Sequence, residues 1–118
     1  MNISTLAFLT MTALAERPLH GYGILQELNA LTAGETTPAV ATLYRTLDRL
    51  SQEGLIEEAE SEVVDGRFRR TYRLTESGGS LLAAEAKARA ATARVATRRL
   101  KQLSFDPSPI NPAVGGAT

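Results

Sequence analysis

TPAVATLYRTLDRLSQEG, residues 37–54, is the stretch whose reading decides the fold. It reads as one helix with two different faces. Leu43, Leu47 and Leu50 recur at i, i+4 and i+7, so they share one apolar stripe, with Val40 beside it. Pro38, Ala41, Thr42, Arg45 and Arg49 fall on the opposite side. That outer face is short-chained at its start and carries arginines further along. An ordinary amphipathic helix presents a solvated polar face and nothing more. A helix that enters the DNA major groove needs small residues at its closest approach, then arginine for guanine edges or phosphates. The stretch alone fits both readings, so its neighbours must separate them.

Upstream, residues 24–31 read as a helix with Ile24, Leu25, Leu28 and Leu31 as its buried stripe. Residues 32–37 read as a turn. Ala33-Gly34 ends one helix, and Thr36 or Thr37 caps the next, with Pro38 at its first position. Two helices joined by so short a turn make a helix-turn-helix pattern. Gly21 and Gly23 allow a tight approach into the first of the two. Residues 3–15 form an earlier helix, ended before Pro18. Ile3, Leu6, Leu9 or Met11, and Leu14 give it more apolar surface than one face requires. Such a helix is central to a core or shared with a second subunit.

Downstream, Gly54 is placed to end the helix in the left-handed conformation. Residues 55–60 begin with strand character, and Asp65-Gly66 is a hairpin turn signal. RFRRTYRL, residues 67–74, then alternates: Phe68, Arg70, Tyr72 and Leu74 on one face, Arg67, Arg69, Thr71 and Arg73 on the other. A hairpin that carries arginines beside a helix-turn-helix has the layout of a wing, which reaches phosphates or the minor groove.

The last element opens at residues 75–78, TESG, where Thr75 is suited to cap a helix and Glu76 to face its positive end. No breaker occurs over residues 80–103. Leu82, Ala86, Arg89, Ala93, Ala96, Leu100 and Leu103 follow spacings of four and three, a heptad seam with one charged interruption. Leu81, Ala84, Ala88, Ala91 and Val95 lie beside it. So small a core cannot cover so long a helix, which points to a homodimer with Leu6 and Leu9 of the first helix contributing. Residues 104–118 are rich in proline, glycine and small residues and read as a disordered tail, with Phe105 free to tuck back. The expected class is mainly α with a small β-hairpin: a winged helix-turn-helix over residues 1–75, a dimerisation helix over 76–104, and a tail over 105–118.

Composition narrows the function. The chain has 118 residues, with 13 basic and 13 acidic side chains, so bulk charge does not announce nucleic acid. The distribution does: no lysine or arginine precedes Arg17, whereas arginines gather at residues 67–73 and 94–101. There is no cysteine, hence no disulfide framework and no thiolate chemistry, which suits the cytoplasm. No apolar run spans a bilayer. Residues 3–15 share the length and the Ala13-Leu14-Ala15 ending of a signal peptide but lack its basic start. His20 is the only histidine and has no cysteine to build a metal site with, so a structural place at the helix start is expected of it. No cofactor motif and no nucleophile with a positioned base occur, so the chain is not expected to be an enzyme.

His20-Gly21-Tyr22, then Thr42-Leu43-Tyr44 with Leu47 and Leu50, then Glu53-Gly54-Leu55, then Gly66-Arg67 followed by Tyr72-Arg73-Leu74-Thr75 and Gly78, form an ordered set. The set resembles the PadR family of bacterial transcriptional regulators over residues 3–103, in particular its small subgroup with a single C-terminal helix. The resemblance implies a winged helix-turn-helix homodimer that represses transcription from two-fold symmetric operator DNA, dimerising through the C-terminal helix with help from the first. It further implies a small hydrophobic or aromatic effector, which some small members hold between tryptophans of the C-terminal helix. This chain has no tryptophan, and its seam is mostly alanine.

The expected DNA contacts are therefore Tyr22, Thr37, Pro38, Ala41, Thr42, Tyr44, Arg45, Arg49, Arg67, Arg69 and Arg70. Arg45 is the candidate base reader, with Ala41, Thr42 and Thr37 at the leading end. Thr37 is equally a plain cap. Tyr44 lies on the flank of the helix, either packed or with its hydroxyl on a phosphate. Tyr22 lies near a helix N-terminus, which favours anions. Arg49 suits the DNA backbone or a pair with Glu53. Arg70 reaches either DNA or an acid such as Glu58 or Glu60, and Arg73 equally an internal partner. The acidic residues 57–62 read as solvated surface or as a counterweight to these arginines. The alternative to a regulator is a protein-interaction module that reuses the fold without DNA.

Overall fold

The computed structural model describes residues 3–103. Helix α1 (Thr5–Glu16) leads into a short strand β1 (Leu19–His20), then helix α2 (Gly21–Leu31) and helix α3 (Val40–Gln52). Strands β2 (Ile56–Glu58), β3 (Glu62–Val64), β4 (Arg67–Arg69) and β5 (Thr71–Leu74) follow, and helix α4 (Glu76–Gln102) closes the order. The architecture is mainly helical, with a small antiparallel sheet. The expected tail, Phe105 included, lies outside the described residues. Chain contacts divide the molecule at Glu85/Ala86, so the first turns of α4 belong to the unit that contains the sheet.

The core of that unit joins three helices to the sheet. Met11, Ile24, Leu28, Leu43, Leu47, Leu50 and Ile56 are fully buried. Burying each such side chain is worth about 1.5–3 kcal/mol relative to leaving it exposed. In α1 Ala7, Met11, Ala13 and Leu14 are buried, while Ile3, Leu6 and Leu9 pack on the core only in part. Thr10 is buried among them because its hydroxyl donates to the Leu6 carbonyl at 2.8 Å, which leaves no unmet polar group. Ser4 caps the helix by accepting from the Ala7 amide at 3.1 Å.

Several helix boundaries depart from the sequence reading. Helix α2 begins at Gly21 rather than Ile24, because His20 Nδ1 accepts the Gly23 amide at 3.1 Å and caps it. Leu31, expected in its buried stripe, is exposed at the helix end. Helix α3 begins at Val40, not at Pro38. Its N-cap is Ala39, which makes no side-chain cap bond, so neither Thr36 nor Thr37 caps it. The turn is held instead from behind: Thr32 Oγ1 accepts the Thr36 amide at 2.9 Å, and Ala33 and Gly34 take positive φ. With the helix starting there, Val40 does not join the leucine stripe and is 58% exposed.

Gly54 takes φ +75°, and the Leu55 amide reaches back to the Leu50 carbonyl at 2.9 Å, which ends α3 as expected. The three-stranded sheet has order β1-β5-β2, with Tyr72 paired to Leu19 on one side and Glu58 on the other. Strand β1 has only two residues, too few for any periodicity to show. Thr75 joins three elements: its hydroxyl donates to the Gly54 carbonyl at 2.6 Å and accepts the Gly78 amide at 3.0 Å. Gly78 is buried against the Leu55 carbonyl, where any side chain would collide.

Residues 67–74 are not one strand. The ladder breaks at Arg70: between the pairs Glu58↔Tyr72 and Glu62↔Arg69, residues 59–61 face residues 70–71. One extra residue on the first strand is a bulge, which bends and twists the outer hairpin relative to the inner sheet. Burial stops alternating there. Thr71 and Tyr72 are both buried, because the Thr71 hydroxyl turns to the Glu60 carbonyl inside the bulged segment.

Candidate nucleic-acid interface

Helix α3 presents two faces set by the same register. Leu43, Leu47 and Leu50 are 0%, 0% and 1% exposed, and this inward face fixes which residues point out. Ala41, Tyr44, Arg45, Asp48 and Arg49 are exposed, and Thr42 is half-buried. Arg45 Nη2 lies 3.4 Å from Thr42 Oγ1, at the long end of hydrogen bonding, so its guanidinium is only lightly tethered. Thr37 is exposed and Pro38 half-buried in the turn before the helix. Neither lies on α3.

Two residues of this face escaped the sequence reading. Val40 stands exposed at the leading turn, where its methyls suit a thymine methyl. The misplaced helix start hid it. Asp48 sits one turn beyond Arg45 on the outward side. A carboxylate there accepts a base amine or holds a neighbouring guanidinium.

Tyr44 is 42% exposed, and its hydroxyl lies over Gly21 at the first turn of α2. Tyr22, beside it in that turn, is exposed, and its ring runs parallel to that of His20 with centroids 6.5 Å apart. Neither Gly21 nor Gly23 has positive φ, so conformational freedom does not explain either glycine.

The wing closes on Asp65 (φ 53°) and Gly66 (φ 77°), the doubly left-handed turn whose twist matches two antiparallel strands. Opposite pairs across it are Val64↔Arg67, Val63↔Phe68 and Glu62↔Arg69. Arg67 is exposed near the tip and Arg69 is half-buried; neither forms an ion pair with another described side chain. On the other hairpin face Val63 and Phe68 are 64% and 83% exposed, an apolar pair in contact with solvent. Nearer the sheet the arginines are engaged. Arg70 Nε lies 3.2 Å from Glu58 Oε1, and Arg73 Nε 2.9 Å from Glu57 Oε1. Part of the acidic run is thus the counterweight to this end of the arginine cluster. Both pairs are exposed, so each is worth under about 1 kcal/mol and neither holds its arginine firmly. Burial raises the Tyr72 phenol above its ordinary value of 10.0, with the Arg70 guanidinium opposing the shift.

Along the second unit, Ala86, Ala93, Ala96, Leu100 and Leu103 are exposed and Arg89 is half-buried. Leu82 of the first unit, like Leu6 and Leu9, packs partly on its own core. No helix among the described residues is long and apolar enough to cross a membrane.

Residues 11–84 match the transcriptional regulator PadR-like family. The chain is 40% identical over 74 residues to the transcriptional regulator Rv3488 of Mycobacterium tuberculosis, a match that covers 63% of this chain and 65% of that protein, just under two thirds of its length. Among solved structures, a PadR-like transcriptional regulator of Bacillus cereus superimposes with TM-score 0.70 at 22% identity, over 80% of this chain and 90% of that one. Bacillus subtilis PadR in complex with operator DNA gives TM-score 0.62 at 21% identity, over 70% of this chain and 47% of that one. At these identities the two structures speak for the fold alone.

Proposed function

Since the chain belongs to the transcriptional regulator PadR-like family, we propose that it is a sequence-specific DNA-binding regulator, a homodimeric repressor in the cytoplasm that a small hydrophobic or aromatic effector releases. One observation carries this reading. The exposed face of α3, with Val40, Ala41, Arg45 and Arg49, is anchored by three buried leucines on its inner side. A base-reading face needs that anchoring, because a good base contact tolerates little displacement. Arg67 and Arg69 on the wing supply the sequence-independent part by meeting phosphates. Bacillus subtilis PadR, a protein with this fold, is solved in complex with operator DNA, which supports DNA as the partner. A second copy would cover the exposed alanines and leucines of α4, since a helix with so few buried residues is marginal in water.

Fluorescence anisotropy with a labelled duplex from upstream of its own coding sequence tests the proposal. Binding should weaken steeply as salt rises, because arginines release condensed counterions from the duplex. A folded dimer that shifts no duplex even at low salt would sink it. The exposed Val63–Phe68 pair favours a second reading, a protein-interaction module. A stable protein partner captured through that pair, together with absent DNA binding, would establish it instead.

A further inference from the structure

Gly21 is buried at the first position of α2, yet its φ lies outside the left-handed region, so its backbone tolerates any side chain. Alanine there would ordinarily favour the helix. Space forbids it. A Cβ at Gly21 would collide with the Tyr44 hydroxyl and stand 2.9 Å from its Cζ. Gly23, two residues on, is different: an added Cβ meets nothing closer than 3.4 Å, from the flexible end of Leu19. The two glycines look alike in sequence, but only one makes room for another residue.

Tyr44 precedes Arg45 on α3, and its ionised form would oppose ionisation of the Tyr72 phenol on β5. Arg70 favours ionisation of that phenol against the effect of burial, and it pairs with Glu58. Tyr44 therefore stands where the first turn of α2, the outer flank of α3 and the base of the wing meet. We infer that Gly21 is a positioning residue for DNA reading: its missing side chain lets the Tyr44 phenol seat on α2, which holds Tyr44 and the adjacent Arg45 at the angle presented to the duplex. The inference rests on the DNA-binding reading above and adds to it a residue that touches no DNA.

The test is a double-mutant cycle in the full chain. Anisotropy is measured at fixed salt on the upstream duplex and on a scrambled duplex, beside thermal melts. Gly21→Ala should weaken binding to the upstream duplex by about tenfold and lower its preference over the scrambled one, while Tyr44→Ala loses a similar factor. Adding Gly21→Ala to Tyr44→Ala should change affinity by less than about twofold, because the collision is already gone. Gly23→Ala should match the wild type. Equal losses from Gly21→Ala in both backgrounds overturn the inference, and so does wild-type binding by Gly21→Ala. If Gly21→Ala alone fails to fold, a double variant that folds and binds like Tyr44→Ala supports it; a double variant that also fails to fold overturns it. Wild-type protein that binds neither duplex overturns the regulator reading instead.

Discussion

Helix α3 and the β3–β4 hairpin both carry arginines outward, but they are positioned by different physics. Three fully buried leucines anchor α3. The hairpin has no buried side chain among its described residues and depends on a left-handed turn and backbone ladder bonds. The first arrangement fixes its outward residues against a packed core, as the proposed base reading requires. The second can flex to follow a phosphate backbone at little cost. The difference explains how one small unit could divide base reading from clamping, with Tyr44, Tyr72 and Arg70 between them.

The comparison breaks most readily at the anchor. Leu47→Ala removes a fully buried side chain and should destabilise the fold by about 2–5 kcal/mol, read as a lowered denaturant midpoint. A loss no larger than that of an exposed residue would mean the leucines do not hold α3. Next comes Arg45→Ala, which should lose about 1–3 kcal/mol on the preferred duplex and far less on scrambled DNA, so specificity relaxes. Arg67→Ala should be gentler and uniform, weakening all duplexes alike and lowering the salt slope by about one. If Arg45 and Arg67 variants lose equally on both duplexes, the division of labour fails.

The smallest effect concerns the link between the two regions. Burial raises the Tyr72 phenol, so the folded state favours its neutral form. Its stabilising contribution is complete below the unfolded value of 10.0 and is lost as pH climbs from there through the raised folded value. Melting temperatures should therefore fall less steeply above pH 10 in Tyr72→Phe than in the wild type. Identical slopes would remove Tyr72 from the link.

Much of this was legible in the residues. The leucine stripe of α3, the Asp65-Gly66 turn, Gly54 and the Thr75 cap are local features, each set by neighbours within a turn or two. The pairing of Arg70 with Glu58 was open at that level, and the strands' register closed it. The leading turn of α3 was misread because Thr37 and Pro38 suit a helix start in isolation, yet the turn is tied to Thr32 instead. Strand β1 left no trace, since two residues carry no pattern and acquire strand form only by pairing with β5. The bulge at residues 59–61 is equally silent, because an extra residue exists only relative to a partner strand.

By itself, the sequence determined the helices, the inward face of α3, the hairpin turn and the family resemblance, because periodicity and turn chemistry act over a few residues. Tertiary structure alone decided which glycine makes room for Tyr44, where the hairpin bends, and which arginines are already engaged by glutamates. Those outcomes depend on distances between segments far apart in the chain, and no local pattern encodes a distance.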